Sequence, residues 1–360
     1  MTVPTATYSP TPTHPSIDES ATGRGSDYAR LCYLVRSAGL LRRRRGAYCV
    51  QIAATFAFFV ATCVVIVWLG NSWYQLLAAA GFGIAFTQTA FLGHDGGHQQ
   101  VFARRRANDL LGRVSGNLLV GLSYGWWVDK HNRHHANPNK EGHDPDIADG
   151  VLVFTTGQVA ARTGGLGRAI TRRQAWLFFP LLTLEGVNLH VASVRSLLPG
   201  AERSSRGGHR MTEALLLTVH AVGYIAALLL VMSPEKASAF AAVHQAVFGV
   251  YMGCSFAPNH KGMRTLEPDE QLDYLRRQVL TSRNVRGGPL TDVLLGGLNY
   301  QIEHHLFPNM PRYSLPRAQR LIRAYCADLH IAYAETSLTG SYATVLRYLD
   351  DLGKPLREAR

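Results

Sequence analysis

Only five cysteines occur in the 360 residues, at positions 32, 49, 63, 254 and 326, and no two form a Cys-x-x-Cys pair. A scattered, odd-numbered set excludes a disulfide framework and a cysteine-built zinc knuckle. No apolar run precedes Arg45, so a cleavable signal peptide is not expected, and the first run that does occur is long enough to span. No repeat is visible at domain scale. Charge is scarce in two pairs of long segments, residues 47–69 with 73–92 and residues 211–232 with 237–258. Each matches the roughly 20 residues a helix needs to cross a bilayer. A polar remainder balances them and leaves the mean hydropathy close to zero.

The formal net charge is +12. The arginines gather beside the apolar segments, at 42–45, at 104–106 and at 203, 206 and 210, while the two short turns at 70–72 and 233–236 carry little charge. Positive residues remain on the cytoplasmic side of a membrane, which predicts that both termini and every arginine cluster are cytoplasmic. Aromatic and basic residues do not interleave on a soluble module, so no nucleic-acid partner is expected.

Residues 1–28 are rich in Thr, Pro and Ser and predict a disordered tail; residues 29–360 are read as one membrane domain. Residues 28–41 suit a short amphipathic helix leading to the bilayer. Two further apolar stretches are interrupted. Residues 110–128 contain Arg113 and Asn117, and residues 175–198 carry Glu185, Asn188, His190 and Arg195. Charge at bilayer depth is costly. Parity also bears on the second stretch: clusters that share one site must be separated by an even number of crossings, and a fifth span would put His260 on the wrong face. Both stretches are therefore predicted to be interfacial or re-entrant helices. Beyond Asn259 the chain is polar, with helices expected at 268–278 and 316–330. The fold expected is an all-α integral membrane protein: four transmembrane helices with a cytoplasmic helical cap holding a dimetal site.

That site rests on histidine. Eight of the 15 histidines fall into four groups: His94 with His98, His131 with His134 and His135, His260, and His304 with His305. A neutral imidazole nitrogen is the commonest metal ligand. One ion takes at most about six ligands and a structural zinc four, so eight candidates argue for two ions. His94-Asp95-Gly96-Gly97-His98 spaces its pair at i, i+4, one face of a helix. The two glycines allow a neighbouring element to approach closely. His131-Asn132-Arg133-His134-His135 gives i, i+3 and i+4, and Asn137-Pro138 then stops the helix. Gln301-Ile302-Glu303-His304-His305 repeats the spacing with glutamine first. The Gln301 carbonyl has three open roles: weak ligand, holder of a metal-bound water, or support for a neighbouring imidazole. His260 sits beside Asn259 where the fourth span emerges. Asp144 and Asp146 suit the second N–H of a ligand histidine.

The other histidines read as surface or packing residues, among them His190, His220 and His244 in apolar stretches. Imidazole ligation is compatible with Fe, Cu, Zn or Ni. The inward glutamates and Glu-x-x-His pairs of ferritin-type di-iron bundles are missing.

The three boxes, in the order two spans, two boxes, two spans, one box, resemble the integral-membrane fatty acid desaturases over roughly residues 45–350. The flanks carry the resemblance too: Trp126-Trp127, Asn139, Asp144-Pro145-Asp146-Ile147, Asn259-His260 and the run from Gln301 to Pro308. The resemblance implies a cytoplasmic di-iron centre that uses O2 and two electrons to remove hydrogens from adjacent methylenes of a fatty acyl chain carried on CoA, acyl carrier protein or lipid. It makes the eight clustered histidines the iron ligands, puts Gln301 and Asn259 next to the metals, and implies no catalytic side chain beyond the metal centre. It also implies a kinked apolar tunnel lined by Tyr124, Trp126 and Trp127. The glutamine at 301 resembles the front-end type, whose members often carry a fused haem domain with a His-Pro-Gly-Gly motif. This chain has only His14-Pro15-Ser16, so electrons are expected from a separate ferredoxin or flavin reductase. A bacterial-type plasma membrane is the expected location. A membrane hydroxylase or an acetylenase shares the scaffold. A divalent-metal transporter is the remoter alternative, because transporters hold ligands near the bilayer midplane and these clusters lie beyond the span ends.

Overall fold

The computed structural model describes residues 26–198 and 210–358. The expected disordered tail, but for its last residues, and arginines 203 and 206 lie outside the described residues.

Helix α1 (Asp27–Ser37) is N-capped by the Ser26 hydroxyl, which accepts from the Ala29 N–H, and it buries Leu31 and Val35. It leads to α2 (Arg45–Leu69) and α3 (Gln75–Gly97), the first two of four helices among the described residues that are long and apolar enough to cross a membrane. α3 is the core helix of the pair, burying Phe82, Phe86 and Phe91. It runs five residues beyond the expected span end at residue 92 and closes at Gln99, whose φ is +59°.

The stretch expected as one interfacial helix over 110–128 is divided. α4 (Arg105–Arg113) passes into a π-helix (Val114–Val120), which Gly121 ends at φ +79°, and α5 begins only at Tyr124 (Tyr124–Ala136). A π-helix bonds i to i+5 and occurs mostly at functional sites. Its C-terminal carbonyls need partners away from water. His220 Nδ1 donates to Leu118 O at 2.9 Å, and His190 Nε2 lies 3.0 Å from Val120 O. A Cβ at Gly121 would come within 2.4 Å of the His220 ring, so only glycine fits there. The reading of these two histidines as hydrogen-bonded packing residues holds.

After α6 (Thr156–Ala160) and α7 (Gly165–Arg172), the stretch expected as one helix over 175–198 is broken in two. α8 (Gln174–Leu182) and α9 (Glu185–Arg195) meet at a 70° bend. Pro180 and the turn at Thr183–Leu184 account for the break, since proline removes an intrahelical hydrogen bond. Trp176, Val187, Val191 and Val194 remain exposed, as a face toward lipid requires. α10 (Arg210–Val231) and α11 (Pro234–His260) complete the four spans. Phe240 and Phe248 of α11 pack with Phe82 and Phe86 of α3 in the membrane core.

The polar remainder forms the cap. α12 (Tyr274–Leu280) starts later than its expected position at 268. β1 (Asn284–Arg286) follows, then α13 (Pro289–Leu294), α14 (Gln301–Leu306), α15 (Leu315–Asp328), β2 (Glu335–Ser337) and α16 (Leu338–Glu358). β1 and β2 pair in parallel, Asn284 opposite Glu335. Neither this small sheet nor the amphipathic α16, which buries Val345, Leu349 and Leu356, was expected from sequence. Leu31, Val35, Leu275, Ile302, Leu306 and Ile322 make the cap's own core.

Candidate metal centre

Four elements deliver the eight histidines. The last turn of α3 carries His94 and His98, α5 carries His131, His134 and His135, His260 is the final residue of α11, and α14 carries His304 and His305. α5 is fixed at its N-terminus from the second hairpin: Ser123 Oγ accepts from the Trp126 N–H and donates to Glu213 of α10 at 2.6 Å. Gly97 admits the Trp127 ring, which would lie 2.6 Å from any Cβ there, and Trp127 in turn stacks on His131.

The histidines form two groups. His94, His98, His131 and His304 bring one nitrogen each within 4.8 Å of one another, as do His134, His260 and His305. His135 lies between: its Nε2 is 3.1 Å from His131 Nε2, while its ring stacks on His305 at 4.1 Å. None of the eight is more than 8% exposed. Burial, reinforced by the neighbouring imidazoles, holds His98, His131, His135, His304 and His305 well below the usual histidine range. They are neutral, which is the ligating form. His134 differs: burial lowers it, but Asp146 and Asp144 outweigh burial and raise it.

Hydrogen bonds fix which nitrogen faces inward. Backbone carbonyls and carboxylates only accept. His260 Nδ1 therefore carries its proton toward Thr281 O at 3.0 Å, and His134 Nδ1 toward Asp144 at 2.9 Å. Gln278 donates its amide N–H to His135 O, which turns Gln278 Oε1 toward His305 Nδ1 at 3.0 Å. The Nε2 atoms of His260 and His305 are thus lone pairs, and so is that of His134 in its neutral form. His134 Nε2 and His260 Nε2 face each other at 3.3 Å, an arrangement satisfied by a cation between them or by a proton on His134. With a metal–nitrogen bond of about 2.1 Å, spacings of 3.1–3.3 Å subtend roughly 95–105° at an ion, suited to octahedral or tetrahedral ligation. The Nε2 atoms of His94, His98, His304 and His305 are buried without a hydrogen-bond partner. The residues present therefore fit two metal ions.

Asp146 is held low by Lys130, 2.7 Å away, and by His134, against the opposing effect of burial. Asp144 also accepts from the Asn139 and Asp146 N–H groups, so its carboxylate is a fixed strut. Gln301 Nε2 lies 2.9 Å from His260 Nε2, and Asn259 Nδ2 lies 3.3 Å from Gln301 Oε1. Both amides border the three-histidine group.

Several supporting residues were not read from sequence. The segment from Gln278 to Asn284 acts as a strap across the site. Besides Gln278 and Thr281, Arg283 donates to Pro258 O and Lys261 O at the end of α11. Asn284 binds both the Ile302 N–H and the Glu303 carboxylate. Burial raises the Glu303 carboxyl to about 7, and Tyr333 also donates to it at 2.7 Å. Arg312 and Asp95 form a buried ion pair beside His94. Gln278, Thr281, Arg283, Asn284, Arg312 and Tyr333 belong to no motif and to no periodic face, so the sequence carries no signal for them; Asp95 and Glu303 stand inside the histidine segments, but their partners lie far off in the chain.

An apolar cavity of about 40 Å³ opens beside His94, lined among others by Phe91, Gly116, Tyr124, Trp127 and Met252. Of the three residues expected along the tunnel, Tyr124 and Trp127 line this cavity and Trp126 does not. On an α-helix successive side chains point about 100° apart, so Trp126 and Trp127 cannot share a face.

A family model described as fatty acid desaturase matches residues 71–337. The acyl-lipid (9-3)-desaturase of Physcomitrium patens is 26% identical over 92% of this chain and 63% of its own length. The Delta(5) fatty acid desaturase of Caenorhabditis elegans is 31% identical over 83% of this chain and 67% of its own length. The Delta 8-(E)-sphingolipid desaturase of Emericella nidulans is 25% identical over 84% and 59% respectively. The chain thus spans about three fifths to two thirds of the length of these relatives.

Proposed function

This chain belongs to the fatty acid desaturase family, and on that premise we propose that it is an O2-dependent fatty acyl desaturase, with residues 29–360 acting as one catalytic unit. The observation that carries the reading is the pair of buried imidazole groups, with unpartnered nitrogens, bordering an apolar cavity.

Two iron ions bound there would supply the oxidising power that removes two hydrogens from adjacent methylenes. In this proposal His94, His98, His131, His135 and His304 hold one ion, and His134, His260 and His305 the other. Asp144 fixes the His134 tautomer, Asp146 and Lys130 brace that carboxylate pair, and Asn259 and Gln301 border the second ion. Tyr124, Trp127 and Met252 line the acyl path and exclude water from it. The cavity is too small for an acyl chain as it stands, so lining side chains such as Met252 must turn as substrate enters.

The two electrons are proposed to come from a separate ferredoxin or flavin reductase. Arg317, Arg320 and Arg323 are exposed at i, i+3 and i+6 on α15, a basic face suited to an acidic donor. Arginine-flanked spans support an active site and termini on the cytoplasmic side. The relatives above are from a moss, a nematode and a fungus, and lend no support to the bacterial-membrane expectation.

Expression in a lipid-producing host with a reductase system, followed by gas chromatography and mass spectrometry of derivatised fatty acids, tests the reading. New double bonds are expected. Hydroxylated lipid alone would make the protein a hydroxylase, and zinc with metal flux into vesicles would make it a transporter.

A further inference from the structure

Gln301 stands where the spacing of the other histidine-rich segment has a histidine, and its amide orientation can be deduced independently of atom labels. Oxygen and nitrogen of an amide are told apart by their partners. The deduction starts at Ser255 O in α11. A backbone carbonyl only accepts, so the Asn259 amide atom 3.2 Å from it is the nitrogen. That same nitrogen lies 3.3 Å from one terminal atom of Gln301, which must then be the Gln301 oxygen. The Gln301 nitrogen is left 2.9 Å from His260 Nε2. His260 agrees with this assignment: its Nδ1 proton is committed to Thr281 O, so its Nε2 is a lone pair able to accept from Gln301. The four groups form one chain of donors and acceptors, all buried: Ser255 and Asn259 are 0% exposed, Gln301 2% and His260 5%.

This orientation is wrong for ligation through the amide oxygen. It also has a consequence once His260 gives its lone pair to a metal. The Gln301 N–H then loses its acceptor and is left buried beside that metal, and a buried unpaired donor is costly. A small ligand with lone pairs on the same metal would restore the bond. The three-histidine group has room for one, since it brings fewer protein nitrogens than its neighbour.

We propose that Gln301 is a hydrogen-bond donor rather than a metal ligand, and that with the amide of Asn259 behind it it forms a subsite for a small anion at the His134–His260–His305 group. The inference rests on the metal-centre reading above. It assigns Gln301 and Asn259 as positioning residues, Asn259 acting through the orientation of Gln301.

The test uses full-length protein in detergent, loaded with iron and air-oxidised, with metal content measured by mass spectrometry and azide as the probe, titrated by its charge-transfer absorption. Q301L is expected to keep the wild-type metal content, because the glutamine is not a ligand. Q301E and N259D are expected to weaken azide binding at least about tenfold, the first by removing the donor. The second does so while retaining Gln301: an aspartate accepts from Gln301 and turns the amide oxygen toward the metal. The factor is that expected for one hydrogen bond to a charged group. Loss of about one metal ion per chain in Q301L would make Gln301 a ligand and overturn the proposal. So would azide affinity within threefold of wild type in both Q301E and N259D. A wild-type protein that holds no metal would overturn the metal-centre reading and this inference together, an outcome distinct from the other two.

Discussion

Arg312 Nε lies 2.7 Å from Asp95 Oδ2, and both side chains are nearly excluded from solvent, at 9% and 1% exposure. The pair joins the first histidine-bearing segment to the segment that follows the third. Asp95 Oδ1 is 3.3 Å from His94 Nδ1, Arg312 Nη2 donates to Phe91 O, and the Arg312 N–H reaches the Tyr48 hydroxyl. Burial lowers the guanidinium, but Asp95 outweighs it and holds it charged.

Arg312→Met should therefore cost about 3–5 kcal/mol, the usual penalty for stranding one member of a buried pair. Thermal unfolding in detergent measures it. The double variant Asp95→Leu/Arg312→Met should recover most of that stability yet bind metal less tightly than wild type, because His94 loses its Nδ1 partner. A single variant as stable as wild type would show that the pair contributes nothing.

Asp144→Asn leaves the shape of the strut intact while removing the carboxylate that fixes the His134 proton on Nδ1. Metal affinity is expected to fall by about 10- to 100-fold, read by competition with a chromophoric chelator. The loss should fall on one ion, since Asp144 touches only the three-histidine group. Equal weakening of both ions would contradict the division into two groups.

The groups should also be separable by substitution. His260→Ala takes one of three imidazoles from the second group and, on the two-ion proposal, should lower the metal content by about one ion per chain. His98→Ala takes one from the larger group and should leave a larger fraction of its iron in place. Metal analysis after gel filtration decides between this and a common loss.

Gly116 and Met252 both line the cavity beside His94. Gly116→Leu should abolish conversion of long acyl chains before shorter ones, while leaving iron content unchanged. Met252→Ala should enlarge the path and broaden the product lengths, as chromatography of total fatty acids would reveal. Identical product profiles in both variants would place the acyl path elsewhere.

What the sequence made legible follows from how each feature is encoded. The four spans depend on length and apolarity alone, so residues 47–69 and their counterparts could be read directly. The paired histidines are dense and regularly spaced. The strap from Gln278 to Asn284 is neither: Gln278, Thr281 and Arg283 are ordinary polar residues until the fold buries them against His305, His260 and Pro258. The helix α16 is hard to read because Gly340, Gly353, Pro355 and the pair Asp350-Asp351 give a polar, broken pattern, and its apolar stripe is buried only when the chain folds it against Phe178 of α8 and Val159 of α6. The π-helix after Arg113 is illegible because it differs from an α-helix by hydrogen-bond register, not by composition. Trp126 and Trp127 looked equivalent as neighbours, and helical geometry separates them.

The centre takes its last two histidines from α14, after all four spans. A chain halted on the ribosome before Gln301 would already display six of the eight, with His134 and His260 lacking the third imidazole of their group. The strap that sets the tautomer of His305 is also made before His305 exists. Assembly thus has an order in time: the bilayer segments are inserted and the strap is synthesised before the pocket can close. A chain that ends before His304 would hold every span and the strap and still lack two of the eight histidines.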